Sequence, residues 1–360
     1  MKKRMLLYLL LLPLLFLIYV IGAILHGSMN DFQPDLASAT EMFSPGTQPL
    51  IQDSVLSFGI WNLGYAGLGE ESDFFYEKGS LLSNGMMVRP PREISQKNWK
   101  GIEQTIRSTK TDFWLFQEVD KNSKRSYGLN QMEAIQALLP GQMASFAVNY
   151  KVARVPVPVL QPWKVYGKVE SGLGTFASYQ AKEEKRYQLP GDFSWPMRVF
   201  SLDRCAALYR FPHANGKELV VINIHNSAYD DGSLKAQQMN FLKDIFQAEY
   251  EKGNYVIVGG DWNQCPPFFK FDTFMPGQGG DYVQQNIEAE IMPNNWQWIY
   301  DATIPTNRKV SEPFQKGSTF VTLIDFFLVS PNVKVRKVKG INLDFQFSDH
   351  QPVWMEVELL

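Results

Sequence analysis

At 360 residues, with 45% apolar, 14% aromatic and 20% charged side chains, the chain has material for a large core and too little polarity for a long disordered tract. Apart from Lys2, Lys3 and Arg4, 32 basic residues face 37 acidic ones, a net charge of −5. A protein that grips a polynucleotide by neutralising many phosphates needs a basic surface, so that class is disfavoured. Two cysteines, Cys205 and Cys265, allow one bridge or two buried thiols and cannot build a cysteine-rich zinc site.

In chain order, a basic N-terminus at residues 1 to 5 precedes twenty uncharged residues, 6 to 25. That length crosses a hydrocarbon core of roughly 30 Å as a helix, exceeds the apolar core of a secretory signal, and is followed by no small-x-small cleavage site. It reads as an uncleaved single-pass transmembrane helix, a signal anchor in the cytoplasmic membrane. The Lys2-Lys3-Arg4 flank keeps the N-terminus inside and the body extracytoplasmic. Residues 26 to 53 are polar, Pro-containing and aperiodic, as a linker is.

Structure begins at "VLSFGIWNLG". Short Val-, Ile- and Phe-rich runs bounded by turn residues follow at 111 to 119, 204 to 211, 218 to 225, 255 to 261, 323 to 330 and 352 to 359, as buried strands do. Asn215-Gly216 between two of them predicts a hairpin. Helical periodicity is plainest over 233 to 254, where Leu234, Gln238, Leu242, Ile245 and Phe246 share a face, Ser233 or Asp231 caps the start and Gly253 marks the stop. Shorter helices are predicted at 98 to 108 and 130 to 140. Residues 141 to 200 show no regular signal and read as an irregular insertion, whose Trp163, Trp195 and other aromatics pack it or line a substrate rim. "GYAGLG" at 64 to 69 lacks dinucleotide-binding spacing. The expected fold class is α/β: two mixed sheets at the centre of a sandwich with helices outside, plus the N-terminal transmembrane helix.

The strand ends carry the chemistry. "GIWN" ends at Asn62, "WLFQEV" brings Glu118, "VINIH" brings His225, "YVIVGGDWN" brings Asp261 and Asn263, "LIDFFL" brings Asp325, and "SDH" places Asp349 and His350 before the last strand. One polar ending is a turn, whereas six form a constellation. Carboxylates and carboxamides suit a hard cation such as Mg²⁺, with Mn²⁺ as the alternative. Of the four histidines, His26 and His213 stand at a membrane exit and in a hairpin, and His225 and His350 stand beside acids or amides.

"WN", "QEV", "NIH", "GDWN", the Asp of "IDFFLVS" and "SDH", in that order over residues 54 to 360, resemble the signatures of the endonuclease/exonuclease/phosphatase superfamily, in particular its membrane-anchored bacterial members. The resemblance implies a deoxyribonuclease I-like four-layer α/β sandwich and a catalytic domain spanning 54 to 360. It implies Glu118 as principal metal ligand, with Asn62 and Asp349 near the metal. Asp261 would orient or deprotonate the attacking water, and Asn263 would hold a phosphoryl oxygen. His350 would contact the phosphate, kept charged by Asp325, and His225 would donate a second hydrogen bond or assist the leaving group. Gly259-Gly260 would let the backbone turn beside the site. The chain departs from the pattern at Asn226-Ser227; Asp203 or Asp230 could supply a second acid, and Asn223 has no assigned role.

These residues point to a Mg²⁺-dependent phosphohydrolase, foremost a phosphodiesterase, acting on a lipid head group or small phosphodiester. The alternatives are a nuclease, which a basic stripe at Arg89, Arg92, Lys97 and Lys100 would favour, and a catalytically silent phosphate-binding protein. Oligomeric state is not legible.

Overall fold

Alternating faces of apolar strands set the architecture, which the computed structural model describes for residues 2–191, 193–228, 232–274 and 285–360. Helix α1 (Lys2–Met29) is followed by two short strands, β1 (Ala37–Ser38) and β2 (Glu41–Ser44), and by β3 (Val55–Asn62). Helix α2 (Arg92–Ser108) leads to β4 (Phe113–Asp120), and α3 (Gln131–Leu138) to β5 (Met143–Val155), β6 (Gly167–Ala177) and β7 (Glu183–Gln188). The hairpin of β8 (Cys205–Pro212) and β9 (Glu218–His225) precedes α4 (Ser233–Glu251) and β10 (Tyr255–Asp261). Three short strands, β11 (Gln297–Ile299), β12 (Asn307–Arg308) and β13 (Val321–Thr322), come before β14 (Asp325–Val329), β15 (Val333–Gly340) and β16 (Val353–Leu359).

Two seven-stranded sheets result, ordered β1-β7-β8-β9-β10-β14-β11 and β15-β16-β3-β4-β6-β5-β2. Both are mixed: β9 runs parallel to β10 and β3 parallel to β4, between antiparallel neighbours. Leu56, Phe58 and Ile60 of β3 meet Leu219, Val221, Tyr255, Ile257 and Phe327 from the opposite sheet in the central core. The alternate residues Val220, Ile222, Val256 and Val258 pack outward under Met239, Leu242 and Phe246 of α4. Trp61, Trp114 and Phe116 pack outward under Trp99, Ile102 and Ile106 of α2 and Ile135 of α3. The fold is thus a four-layer α/β sandwich of the deoxyribonuclease I type. Because both faces of each central strand are buried, these strands read as continuous apolar runs. Both cysteines are buried, and no disulfide joins them.

Three segments differ from their sequence reading. Residues 141 to 200 hold two of the longest strands, β5 and β6. Glycines hid β6: a Cβ at Gly172 would collide with the Ala147 carbonyl, and one at Gly174 would lie 2.8 Å from Met132 Sδ. Within residues 26 to 53, β1 pairs with β7 and β2 with β5, so this polar stretch edges both sheets. Gly259-Gly260 is not a turn. It continues β10, where Gly259 admits the Phe327 ring and Ile60 and Gly260 adopts φ +147° against the Ile224 carbonyl. The Asp231 cap lies outside the described residues, and Gly232 occupies the N-cap of α4.

Gly260→Ala is expected to destabilise the fold by at least ~3 kcal/mol, since the backbone conformation and the Ile224 carbonyl both oppose a Cβ. Chemical denaturation of the variant checks this. A midpoint equal to that of the parent protein would contradict the close approach of β9 and β10.

Candidate active site

Strand parity delivers the polar residues to one place. Leu219 and Val221 face the opposite sheet, so Asn223 and His225 do too, and the inner face of β10 runs from Tyr255 and Ile257 to Asp261. Asp325 continues the face of Phe327 and Val329. Register then sets Asp261 between His225 on β9 and Asp325 on β14. From the other sheet, Asn62 Nδ2 donates to Asp261 Oδ2 at 3.0 Å. The same oxygen lies 3.4 Å from His225 Nε2 and 3.8 Å from His350 Nε2, and Asp261 Oδ1 accepts from Asn263 N at 2.9 Å. Asn263 Nδ2 donates to the Asn226 carbonyl at 2.9 Å. The turn after β10 begins at Asn263, in the left-handed region at φ +51°, while Trp262 is buried and stacks on Phe326.

The two histidines hold different charges. At His350, burial disfavours the imidazolium, but the carboxylates of Asp325, Asp261 and Asp349 outweigh it and raise its pKa well above the usual range. His350 Nδ1 donates to Asp325 Oδ2 at 2.8 Å, while burial pushes Asp325 up to about 6 against the pull of His350. The shared proton sits on His350, which faces Asp325 as an ion pair. Its Nε2 lies 3.0 Å from Asn307 Nδ2, which also donates to the Asp349 carbonyl at 3.4 Å. His225 is neutral: burial, followed by the charges of Arg204, His350 and Arg125, pushes its pKa well below the usual range. Asn149 Nδ2 can only donate, and at 3.3 Å from Nδ1 it leaves the His225 hydrogen on Nε2, toward Asp261.

Glu118 arrives by a different device. Regular alternation would turn it outward, but the β4–β6 register breaks between Phe116 and Val119, and Glu118 takes φ +52°. Its carboxylate, with Asp349, His350, His225, Asp261 and Asn263, lines one cleft of about 940 Å³. Burial raises the pKa of Glu118, with Asp349 repelling it and Arg125 countering; burial also raises Asp349. Among the described residues no hydrogen bond or ion pair holds the Glu118 carboxylate. Two desolvated carboxylates that repel each other across a cleft fit a hard divalent cation.

Asn62 stands differently from a free ligand, because its Nδ2 serves Asp261 and its Oδ1 accepts from Gly64 N at 3.0 Å. Asp261, Asp325 and His350 also offer ligand atoms within 4.8 Å of one another. There the short His350–Asp325 hydrogen bond already joins two of the three, so this cluster is better suited to holding a proton than an ion. Asp203 lines the cleft, and Asp230 lies outside the described residues.

Sequence reasoning did not single out Asn149 and Asn307, the partners of the two histidines. Asn223 proves to tie the sheets together: it accepts from Gln117 Nε2 at 2.7 Å, and its Nδ2 reaches the carbonyls of Phe116 and Gly174 at 3.2 Å. Arg308 was also missed. Fully buried, it donates to the carbonyls of Leu68, Gly69, Ser72, Lys309 and Glu312, clamping the loop after Asn62. Lysine cannot reproduce that fork, so Arg308→Lys is expected to cost at least ~2 kcal/mol. Thermal unfolding checks it; an unchanged midpoint would mean that the loop holds without the clamp.

A sequence profile of the Endonuclease/Exonuclease/phosphatase family matches residues 98–350. No curated protein sequence matches at a significant level. Among solved structures, an endonuclease/exonuclease/phosphatase from Beutenbergia cavernae aligns at 16% identity and TM-score 0.53, covering 85% of this chain and 72% of its own. A family protein from Leptotrichia buccalis aligns at 14% and 0.53, covering 84% and 100%. ANGEL2, described as a 2′,3′-cyclic phosphatase, aligns in complex with adenosine-2′,3′-vanadate at 14% and 0.54, covering 91% and 99%. At these identities the likeness is one of fold.

Proposed function

The chain belongs to the endonuclease/exonuclease/phosphatase family, a family of metal-dependent phosphoester hydrolases, and from that premise we propose that its cleft hydrolyses a phosphodiester with a divalent cation, Mg²⁺ foremost. One observation carries the proposal: a single carboxylate oxygen, Asp261 Oδ2, is ringed by Asn62, His225 and His350 within 3.8 Å, inside a cleft that also holds Glu118 and Asp349. Glu118 and Asp349 would hold the metal, which when bound would neutralise charge on the phosphoryl group. Asn62 serves as the residue that positions Asp261.

In the reaction Asp261, held by Asn62 Nδ2 and Asn263 N, orients a water and takes its proton. The water oxygen bonds to phosphorus as the ester P–O bond breaks, and the departing alkoxide is protonated from solvent. Charge grows on the phosphoryl oxygens in the transition state, where the His350 imidazolium and the neutral His225 Nε2–H donate. Asp325 keeps His350 charged, and Asn263 completes the contacts to the phosphoryl group.

We further place residues 1 to 5 in the cytoplasm, residues 6 to 25 across the cytoplasmic membrane and the catalytic domain, 54 to 360, outside it. What supports this is α1, whose stretch Leu11–Met29 is long and apolar enough to span, with its basic residues at the N-terminal end. A polynucleotide is the less favoured substrate: Lys97 of the basic stripe is engaged by Glu70 and Glu71 at 2.9 and 2.7 Å.

Turnover of bis(4-nitrophenyl) phosphate and of 4-nitrophenyl phosphate, each with Mg²⁺ and with EDTA, tests the reading. Metal-dependent cleavage with the diester preferred is expected. Metal-independent cleavage, or none on either ester by folded protein, would overturn it.

A further inference from the structure

The catalytic cleft does not end at its polar residues. The same cavity that holds Asp261, His350 and Glu118 is lined by Tyr19, Ala23 and Ile24 of α1. Those three belong to the uncharged stretch long enough to cross a bilayer, so a membrane helix forms part of the wall of an active site. The end of α1 is seated on the body: Gly27 packs against the Phe200 ring, Ser28 Oγ accepts from Trp195 Nε1 at 3.1 Å, and Asp31 pairs with Arg198 at 3.0 Å. Beside that seat Phe193, Trp195 and Met197 are 44%, 62% and 51% exposed, with Phe193 and Met197 also lining the cleft. Aromatic and apolar side chains exposed where a helix leaves the bilayer are what an interfacial contact requires.

The cleft is also larger than its chemistry needs. A phosphoryl group and its leaving atom fill a small part of about 940 Å³, and the remaining wall combines apolar side chains such as Val157 and Phe200 with charged ones such as Arg198 and Asp203. The Tyr19 hydroxyl, shielded from solvent, has no hydrogen-bond partner among the described residues, which leaves a donor for a ligand oxygen.

Resting on the phosphodiesterase reading, we propose that the substrate is a membrane lipid phosphoester. Its phosphate sits at Asp261 and His350, and its alkyl chain lies in the apolar arm of the cleft against Tyr19, Ala23 and Ile24, entering from the bilayer along α1. The anchor then does more than tether the enzyme: it forms the chain-binding wall.

The test uses the full-length chain in detergent micelles with Mg²⁺ and two probes of identical chemistry, methyl 4-nitrophenyl phosphate and dodecyl 4-nitrophenyl phosphate. Each buried methylene contributes roughly a factor of four, so kcat/KM for the dodecyl ester is expected to exceed that of the methyl ester at least ~10-fold. Ala23→Trp, which fills the arm, and Phe193→Asp, which charges its mouth, are each expected to bring the dodecyl-to-methyl ratio of kcat/KM to within ~2-fold of one. Equal kcat/KM for both esters, or a preference that survives both variants, overturns the lipid assignment while the hydrolase reading stands. Loss of methyl-ester turnover in both variants overturns the separation of the arm from the catalytic end. Absence of turnover of the methyl ester by the parent protein overturns the phosphodiesterase reading, and the lipid assignment falls with it.

Discussion

Asp261→Asn is expected to lower kcat on bis(4-nitrophenyl) phosphate by at least ~10³-fold, with KM changed far less. The substitution keeps shape and volume and removes the carboxylate assigned to take a proton from the attacking water. It also puts a carboxamide NH2 where an oxygen accepts, either beside Asn62, His225 and His350, whose nitrogens lie within 3.8 Å of Asp261 Oδ2, or beside Asn263 N, which donates to Oδ1 at 2.9 Å. Loss of a positioned base accounts for roughly 10²–10⁴ in rate, and the broken hydrogen bonds add to it. Circular dichroism and the unfolding midpoint separate catalysis from folding. A variant that folds and retains more than about a tenth of parental kcat would remove Asp261 from the reaction.

Glu118→Gln is expected to raise the Mg²⁺ concentration for half-maximal activity by at least ~100-fold, because losing even an outer-sphere partner of a metal ligand costs 10- to 100-fold. A second effect has the opposite sign. In the metal-free protein the Glu118 carboxylate is desolvated and repelled by Asp349, so neutralising it is expected to raise the unfolding temperature measured in EDTA. Added Mg²⁺ should then stabilise the parent protein and leave the variant almost unmoved. Equal Mg²⁺ activation curves would show that Glu118 does not hold the metal.

Much of this site is legible in the sequence, because the strands that carry it are buried on both faces. Continuous apolar runs such as those ending at His225 and Asp261 announce their own ends, and a polar residue there must face the rim. What stayed hidden depends on pairing between distant strands. Glu118 reaches the cleft through a bulge that is defined only by β6, and β6 itself was masked by Gly172 and Gly174, which make room for neighbours rather than packing themselves. Gly259-Gly260 looked like a turn for the same reason: close approach between strands and a bend ask for the same residue. Asn149 and Asn307 are ordinary polar residues in sequence, and only tertiary contact makes them histidine partners. Residues 37 to 44, in the middle of the stretch 26 to 53, give no strand signal because strands of two and four residues are too short for any periodicity.

The most direct measurement is the position of a bound metal: a crystal of the enzyme soaked with Mn²⁺, read by anomalous diffraction. The proposed chemistry predicts one Mn²⁺ coordinated by Glu118 and Asp349, with the Asp325–His350 hydrogen bond intact beside it. Mn²⁺ bound between Asp261, Asp325 and His350, with that hydrogen bond broken, would contradict the division of the cleft into a metal-holding pair and a proton-handling network.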